Sequence, residues 1–420
     1  MLEERLMEIR QLSHGKIAQM LEKGIHLPNP LTLDIGEEVD VDRISARNVT
    51  IYPGCRIYGE RTVISSGARI GYEGPVTIEN CQLGRDVELR GGYFSRSVFL
   101  DKSNMGLGAH VREASILEEE AGGAHCVGLK QTILFPFVTL GSLINFCDCL
   151  MAGGTSRKNH SEVGSSYIHF NFTPDGDKTT PSLIGNVPSG VMLNQPPIFL
   201  GGQGGMVGPI RMGFGTVVAA GSVLRGDCLD DNRLIIGESR SKGVREYVPA
   251  LYPNLSRIVR NNIVYLANLA ALGEWYVHVR KNFFEGVEFG SLIHAGLLDK
   301  LSMARKERLK RIQAMAERAS RSENFHSGDE NRFRGELGHN FHKILDIFQG
   351  NADKDFQADT HREKFLGELD RVMQGNPGGY VETIQALPAE VSSTGIKWLE
   401  CVVSSFCRMA SDAIPGVQIY

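Results

Sequence analysis

The sequence lacks a strong excess of charge of either sign. Its 420 residues include 45 lysines and arginines against 49 aspartates and glutamates, which leaves a formal net charge of −4. A protein built mainly to coat nucleic acid or an anionic membrane would carry a clear positive excess. The balance argues against both kinds of partner.

Cysteine motifs and long apolar runs are also missing. The eight cysteines include no CxxC, and no second pair accompanies Cys147 and Cys149 as a zinc site would require. No stretch approaches the roughly 18 apolar residues that span a bilayer. The N-terminal stretch MLEERLMEIRQL is interrupted by charges, unlike a signal peptide. Scattered thiols suit a reducing compartment, so we predict a cytoplasmic protein with no membrane partner.

Glycine is abundant, and with it comes an apolar period of six residues. The 48 glycines crowd the part of the chain between residues 54 and 243. One unbroken frame holds Leu33, Val39, Ser45, Ile51, Ile57 and Val63. The frame slips to Ile70 and Val76, slips again to Leu83 and Leu89, and returns at Met212, Val218 and Leu224. This period fits a parallel β-helix, in which each short strand sends one apolar side chain inward. Ordinary strands between glycine turns would not keep one register so long.

The change of period predicts three regions: an N-terminal capping helix (1–30), a hexapeptide-repeat parallel β-helix (31–245) and an all-α domain (246–420). The first helix should end at Gly24 and cover the open first coil of the solenoid. Beyond residue 245, apolar residues follow helical spacing. The predicted helices are Ile258–Phe284, Leu297–Arg321, Glu330–Phe348, Arg362–Met373 and Gly395–Ala413.

Three stretches are harder to interpret. Between about 94 and 150 the frame weakens, and we expect coils with protruding loops. Pro188–Pro209 contains GGQGGMVG, but a dinucleotide-binding loop should open a helix and here more β-helix follows, so we predict a tight surface excursion. Lys300–Arg321 holds eight basic and two acidic residues. This run predicts either a solvated helix face or a docking face for a phosphorylated or acidic partner.

The solenoid pattern is broken once by a polar insertion. Between Asn159 and Gly226, the repeat is interrupted by a loop that carries Asn171, Asp175, Asp177 and Lys178. A regular wall interrupted by one polar loop is where a solenoid enzyme would place its chemistry.

Residues 31–245 resemble the C-terminal acetyltransferase domain of the bacterial bifunctional UDP-N-acetylglucosamine pyrophosphorylase/glucosamine-1-phosphate acetyltransferase, most specifically from His160 to Arg240. The matching features are His160, Asn171-Phe172, Asp175-Gly176, Lys178, Leu183-Ile184-Gly185, the coil from Met212 to Gly221, and Ser239-Arg240. The resemblance implies a left-handed β-helix, an exception to right-handed crossovers. It also implies acetyl-CoA as acyl donor and a homotrimer with active sites between subunits.

The chain departs from that family in several ways. Phe172 replaces the family's tyrosine, Thr173-Pro174 is inserted, and His160 lies about two hexads closer to the loop than the family histidine. The nucleotidyltransferase half has no counterpart, so pyrophosphorylase activity is not expected.

Acyl transfer to an amine needs a base, and histidine has a suitable pKa. His160 is the first candidate and His169 the second. By resemblance, Asn171, Phe172, Asp175 and Lys178 are the substrate-binding candidates, with Asn171 bonding a sugar hydroxyl and Lys178 a phosphate.

The cofactor-binding candidates lie further along the chain. Ala219, Ala220 and Gly221 suit close backbone approach by a pantetheine arm, and Arg240 suits the phosphates of coenzyme A. Zinc is not predicted. The β-helix carbonic anhydrases use three histidines, two of them close along one coil. His110, His125, His160 and His169 do not form such a set.

The sequence therefore predicts a coenzyme A-dependent acyl(acetyl)transferase that acts on an amino sugar, a sugar phosphate or a sugar nucleotide. The alternative hypothesis is a non-catalytic β-helix scaffold with a helical docking domain.

Overall fold

A computed structural model describes residues 15–171, 176–237, 252, 254–321, 329–349, 356–375 and 378–414. A left-handed parallel β-solenoid of about 11 turns is followed by several helices. The predicted fold class is thereby confirmed.

The coils of the solenoid stack into three flat faces, A, B and C, which the chain visits in that order. Face A contains β1 Asp34–Ile35, β3 Arg56–Tyr58, β6 Val76–Glu79, β9 Gly92–Ser95, β12 Ala109–Val111, the first halves of β15 Gly128–Leu134 and β17 Asn145–Met151, β21 Ile168–Phe170, β24 Gly205–Val207 and β27 Val223–Leu224. Face B contains β4 Val63–Ile64, β7 Gln82–Leu83, β10 Ser97–Phe99, β13 Ser115–Leu117, the second halves of β15 and β17, β22 Ser182–Ile184 and β25 Arg211–Met212.

Face C is a 10-stranded sheet. It contains β2 Thr50–Ile51, β5 Arg69–Ile70, β8 Glu88–Leu89, β11 Asn104–Met105, β14 Gly122–Gly123, β16 Thr139–Leu140, β20 Glu162–Val163, β23 Phe199–Leu200, β26 Val217–Val218 and β28 Leu234–Ile235. A short antiparallel hairpin, β18 Gly154–Ser156 and β19 Asn159–His160, projects from the corner between faces B and C.

Residues in the left-handed backbone region turn the corners. The corner between faces B and C stacks Asp86, Lys102, Glu120 and Phe137, with φ of 56°, 60°, 59° and 71°. Backbone bonds tie each of these corner residues to the coil before it, as from Glu120 N to Asp101 O at 2.9 Å. An L-residue adopts this conformation at a cost, and the stacked coils offset that cost.

The inward apolar ladder confirms most of the predicted frame. Ile51, Ile57, Ile70 and Leu83 are at most 2% exposed. Ser45 and Val63 are exceptions, because the chain shifts by one residue there. Ile44 pairs with Ile64 and Ile64 with Leu83, which puts Ser45 and Val63 on the outer side of face B.

The coils between residues 94 and 150 are regular, so the expected protruding loops are absent from that described stretch. Cross-coil partners recur every 17 or 18 residues, as in the series Tyr93, His110, Gly128 and Asn145. The inward residues keep the six-residue period as Phe99, Met105, Val111, Leu117, Gly123 and Leu129. The six-residue period was not recognised in this stretch of the sequence, because one inward position is a glycine and the side chains around the ladder vary.

The glycine stretch is also part of the solenoid, so the predicted surface excursion is wrong there. Gly201, in the turn after β23, and Gly205, the first residue of β24, are both buried. Residues 185–198, between β22 and β23, interrupt the coils and contain helix α2, Val187–Gly190. This segment is packed inward, since Met192 and Val187 are fully buried.

The described part of the N-terminal helix, α1 (residues 15–22), buries Ile17 and Met20 at the solenoid end. It stops at Gly24, with φ of 95°, as predicted. Residues 1–14 lie outside the described part of the chain.

The C-terminal helices match the predicted segments, with one addition. They are α3 Leu255–Trp275, a π-helical turn Tyr276–Arg280, α4 Lys281–Phe284, α5 Gly290–Arg321, α6 Asp329–Gln349, α7 Phe356–Gly375, α8 Tyr380–Gln385 and α9 Ala389–Ala413. The sequence reasoning missed α8. Trp275, Trp398 and Phe365 pack together in the helical core.

The helices cover face B. Helix α5 lies against β7, β10 and β13, and α3 lies against β22. The outer ladder of face B is apolar, which requires a cover. Its members include Val63, Val98, Ile116, Ile133, Leu150 and Leu183, all at most 4% exposed.

Polar groups are buried along this junction. The Tyr276 hydroxyl donates to Glu118 Oε1 at 2.6 Å, and Arg280 Nη2 lies 2.5 Å from Glu119 Oε1. Burial, with some contribution from the neighbouring Glu119, raises the pKa of Glu118 to about 7 although Arg280 opposes the shift. Glu118 is therefore protonated in the folded protein at mildly acidic pH, where the unfolded chain has already lost that proton.

Glu118→Gln tests this shift. A folded-state pKa above the unfolded value makes the contribution of Glu118 largest below about pH 4.5 and lost as pH rises through about 7. From pH 5 to 8, the free energy of unfolding of the native protein should fall relative to Glu118→Gln by on the order of 1–3 kcal/mol. Denaturant titrations across this range measure it, and parallel curves for the two proteins would contradict it.

Candidate functional site

The polar elements that the sequence singled out lie at two different corners of the solenoid. The hairpin with His160 leaves the corner between faces B and C, after β17 and before β20. The loop with Asn171 and Lys178 leaves the corner between faces A and B, after β21 and before β22. A face is crossed in a few residues of about 3.3 Å each, so the corners are roughly 15–20 Å apart. One chain therefore does not bring His160 and Lys178 to one small substrate.

His160 has the geometry of a base. Its Nδ1 lies 2.9 Å from the carbonyl oxygen of Arg157, and a carbonyl can only accept, so Nδ1 carries the proton. This leaves the lone pair on Nε2, which lies 3.6 Å from Glu162 Oε2. The side chain is 20% exposed, enough to be reached from solvent.

The hairpin that carries His160 is firmly held. Gly153 and Gly154 adopt φ of 100° and 97°, which favours glycine. Arg157 Nη1 donates to the carbonyl of Glu120 at 3.0 Å and to Thr139 Oγ1 at 2.8 Å. His160 is thus positioned through the bonds of its hairpin to the corner between faces B and C.

His169, the second candidate, is a structural residue. It is 1% exposed, and Nδ1 donates to the carbonyl of Cys147 at 2.6 Å while Nε2 lies 2.8 Å from Ser182 Oγ. Burial lowers its pKa to about 4. With both nitrogens engaged and no access to solvent, it cannot serve as the base.

The polar loop is pinned by the helical domain. Asp177 is 1% exposed, and its Oδ2 accepts from the Tyr252 hydroxyl at 2.6 Å. The Lys178 carbonyl accepts from Arg308 Nη1 at 2.8 Å. Asn171 Nδ2 donates to Asp148 Oδ2 at 3.3 Å. Phe172 and Asp175 lie outside the described residues.

Arg308 also forms a buried ion pair with Asp148, at 2.8 Å. Both side chains are at most 4% exposed, and Gln131 accepts a further bond from Arg308 at 3.2 Å. Part of the basic run on α5 therefore faces inward, since Arg308 and Lys300 are each 2% exposed. Lys306 and Lys310 of the same run are exposed, so the choice between a solvated face and a docking face stays a prediction. Nothing in the local sequence marked which of its eight basic residues would turn inward.

The predicted cofactor corner is open. Ala219, Ala220 and Gly221 turn from face C to face A, and no atom lies within 4 Å of a Cβ added at Gly221. The coil beneath is tightly stacked, since a Cβ at Gly201 would lie 2.4 Å from Ala220 N. Arg240 lies outside the described residues. Within the described ranges, no group of three or more metal-ligating side chains is arranged to hold a metal ion.

Apolar side chains are exposed at the C-terminal end of faces A and C. On face C, Phe199, Val217 and Leu234 form one cross-coil ladder and are 39%, 40% and 66% exposed. Ile168 and Val223 lie outward on face A. In these strands, as on face B, an outward apolar residue stands next to an inward one. No described helix covers the outward residues.

The fold and the sequence similarity define the class of protein that the chain resembles: hexapeptide-repeat acyltransferases. The chain is 27% identical to "Bifunctional protein GlmU" of Thermotoga maritima over 221 residues, which is 52% of this chain and 43% of that protein. It is 29% identical to the protein of the same name from Nostoc sp. over 224 residues, 53% of this chain and 44% of that one.

These comparisons confirm the resemblance, which extends over about half of the chain. The matched region also spans less than half the length of the curated relatives. No family model matches. The structure of the polysialic acid O-acetyltransferase OatWY matches 55% of this chain and 92% of its own at 17% identity, with a TM-score of 0.17 that is too low to support an argument. None of the described helices is long and apolar enough to cross a bilayer.

Arg308→Met tests the ion pair that pins the loop. It leaves Asp148 buried without its cation, so the free energy of unfolding should fall by about 3–5 kcal/mol. Adding Asp148→Asn should restore part of the loss, because the unpaired charge is gone. Lys310→Met, an exposed change on the same helix, is the matched control. Equal stability of Arg308→Met and Lys310→Met in chemical denaturation would contradict the assignment.

Proposed function

We propose that this protein is a coenzyme A-dependent acyltransferase that transfers an acetyl group to the amine of an amino sugar, a sugar phosphate or a sugar nucleotide. The observation that carries the proposal is His160, a solvent-accessible base with a fixed tautomer on a β-solenoid similar to GlmU proteins over about half the chain.

The proposed chemistry uses one proton acceptor. Nε2 of His160 takes a proton from the acceptor amine as its nitrogen bonds to the thioester carbonyl carbon. The C–S bond then breaks, and the proton passes to the departing thiolate. Glu162 lies close enough to stabilise the imidazolium that forms.

Substrate and donor contacts are assigned by resemblance. Lys178 is proposed to contact a sugar phosphate and Asn171 a hydroxyl, with Phe172 and Asp175 completing the loop. Ala219 to Gly221 are proposed to receive the pantetheine arm, with Arg240 at the phosphates. Asp177 is not included, because Tyr252 already occupies its carboxylate.

The separation of His160 from Lys178 favours a site shared between copies. Faces A and C carry exposed apolar ladders at one end, whereas the matching surface of face B is covered. Exposed contiguous apolar surface on a soluble protein is typical of an interface. We therefore propose a cytoplasmic homotrimer in which one copy covers the apolar ladder of the next.

Acyl transfer is measured by release of free thiol from acetyl-CoA with a panel of amino sugars that includes glucosamine-1-phosphate. His160→Ala should lower kcat by about 10²–10⁴-fold with little change in KM, since a base acts in the transition state. Lys178→Ala should raise KM for the phosphorylated acceptor and spare kcat. His26→Ala, at the opposite end of the chain's solenoid, is the control. Full turnover by His160→Ala would reject the base assignment.

The scaffold hypothesis predicts a different result from the same protein. It predicts that the full chain neither binds acetyl-CoA nor releases thiol with any acceptor in the panel. Detectable binding of acetyl-CoA together with release of thiol would reject the scaffold hypothesis.

Val217→Glu tests the assembly. A carboxylate in the apolar ladder of face C should leave the fold intact but convert a trimer to monomers, as light scattering at micromolar concentration would show. Glu88→Gln, an outward change higher on the same face, should leave the trimer intact. A native protein that is already monomeric would reject the shared site.

A further inference from the structure

One arginine of the helical domain joins the two ends of the polar loop. Arg308, on α5, is 2% exposed, and its Nη1 donates to the carbonyl oxygen of Lys178 at 2.8 Å. Its Nη2 donates to Asp148 Oδ1 at 2.8 Å, and the other oxygen of that carboxylate accepts from Asn171 Nδ2 at 3.3 Å. Asn171 directly follows β21 and Lys178 lies on the limb that returns to β22. Both proposed substrate contacts on the described part of the loop therefore depend on one guanidinium.

The first of these links runs through the corner between faces A and B. Asn145 pairs with Ile168 in the register of β17 and β21, so Asp148 and Asn171, three positions later, occupy this corner in neighbouring coils. Gln131 occupies the corner one coil earlier, and its Oε1 accepts from the same guanidinium at 3.2 Å. The guanidinium thus bonds two coils directly and reaches the third, where the loop leaves, through a carboxylate. The orientation of the Asn171 amide depends on that carboxylate.

The second link fixes the backbone of the returning limb. Lys178 has φ of 55°, in the left-handed region that an L-residue adopts at a cost. Its two neighbours are also bonded by the helical domain or the segment before it. The Tyr252 hydroxyl donates to Asp177, and Asn262 Nδ2, on α3, donates to the carbonyl oxygen of Thr179 at 3.0 Å. Three consecutive residues are therefore held from the same side, which sets the direction in which the Lys178 side chain leaves the backbone.

The bonds of Arg308 exceed what pairing of the buried charge requires. A single cationic nitrogen beside Asp148 would pair the carboxylate, and a lysine could supply it. The arginine instead distributes its donors over a carboxylate, an amide oxygen and a backbone carbonyl. Because the donors of a guanidinium have a fixed planar geometry, three acceptors on one guanidinium are held at fixed relative positions.

We propose that Arg308 is a positioning residue for the acyl acceptor, which orients Lys178 toward the phosphate and, through Asp148, Asn171 toward a hydroxyl. This inference rests on the proposed function, in which those two side chains contact the acceptor. Its consequence is that acceptor binding requires the packing of α5 against the solenoid, although neither contact residue belongs to the helical domain.

Arg308→Lys separates the two links. A buried carboxylate without a cation is strongly destabilising, so the lysine should keep the pair with Asp148 and lose the bond to the Lys178 carbonyl. KM for glucosamine-1-phosphate should rise about five- to tenfold, the equivalent of one hydrogen bond, and kcat should stay within about twofold. Added to Lys178→Ala, the same change should alter KM by less than about twofold, because its effect passes through that side chain.

Hydrogen–deuterium exchange of the full chain gives a readout that needs no substrate. In Arg308→Lys, the amides of residues 176–180 should exchange at least about fivefold faster, since the limb loses one of its bonds to the helices. The amides of β10 and β13, beneath α5, should keep their native rates. Faster exchange in those strands as well would indicate loss of domain packing and would overturn a specific role in the loop.

Arg280→Lys is the matched control, because Arg280 is 1% exposed and forms another buried ion pair of the same junction, with Glu119. It should destabilise the fold in denaturant titrations but leave KM and the exchange of residues 176–180 unchanged. Unchanged KM and exchange in Arg308→Lys, equal increases of KM in both variants, or full additivity with Lys178→Ala would each overturn the proposal. If the native protein acetylates no acceptor in the panel, the proposed function fails, and the exchange of residues 176–180 alone then supports or overturns the positioning of the loop by Arg308.

Discussion

The structure depends on the backbone bonds that join each coil to the next at the three corners. Residues such as Lys102 and Glu120 accept a left-handed conformation because their N–H groups bond the coil before them. Once the corners are fixed, every sixth residue points inward and its neighbour points outward. A face whose outward residues are apolar must be covered from water. Face B is such a face, and the helical domain covers it.

Much of the fold could be predicted from the period of six, but the covered face could not. The inward frame and the long helices were accessible because each rests on a regular apolar spacing. The pairs of adjacent apolar residues at Val98-Phe99 and Ile116-Leu117 were the missed signal, since a strand apolar on both sides must be covered on both.

The site was less predictable. His160 was identifiable by type, whereas the partners that bury His169 and Asp177 come from residues up to 75 positions away. Such contacts leave no local pattern.

The junction between solenoid and helices is built from charges as well as apolar side chains. Buried pairs such as Arg308–Asp148 add little net stability compared with an apolar contact, but each tolerates few partners and few geometries. They therefore fix how the helices sit on face B. The same arrangement explains why the polar loop is partly occupied from within, since Arg308 bonds the Lys178 carbonyl. Chemistry on this molecule is confined to what the helices leave open.

The order in which the chain is made gives the apolar outer surface of face B a further consequence. Its strands emerge from the ribosome first, and helix α5, which covers β7, β10 and β13, ends 204 residues after Leu117, at Arg321. At about 5–20 residues per second, the newly made solenoid waits on the order of ten seconds with that surface uncovered. Coil can stack on coil during this interval, because each needs only its neighbour. Synthesis therefore passes through a stage in which an ordered solenoid presents a bare apolar wall, and nascent-chain chaperones are the natural cover for it.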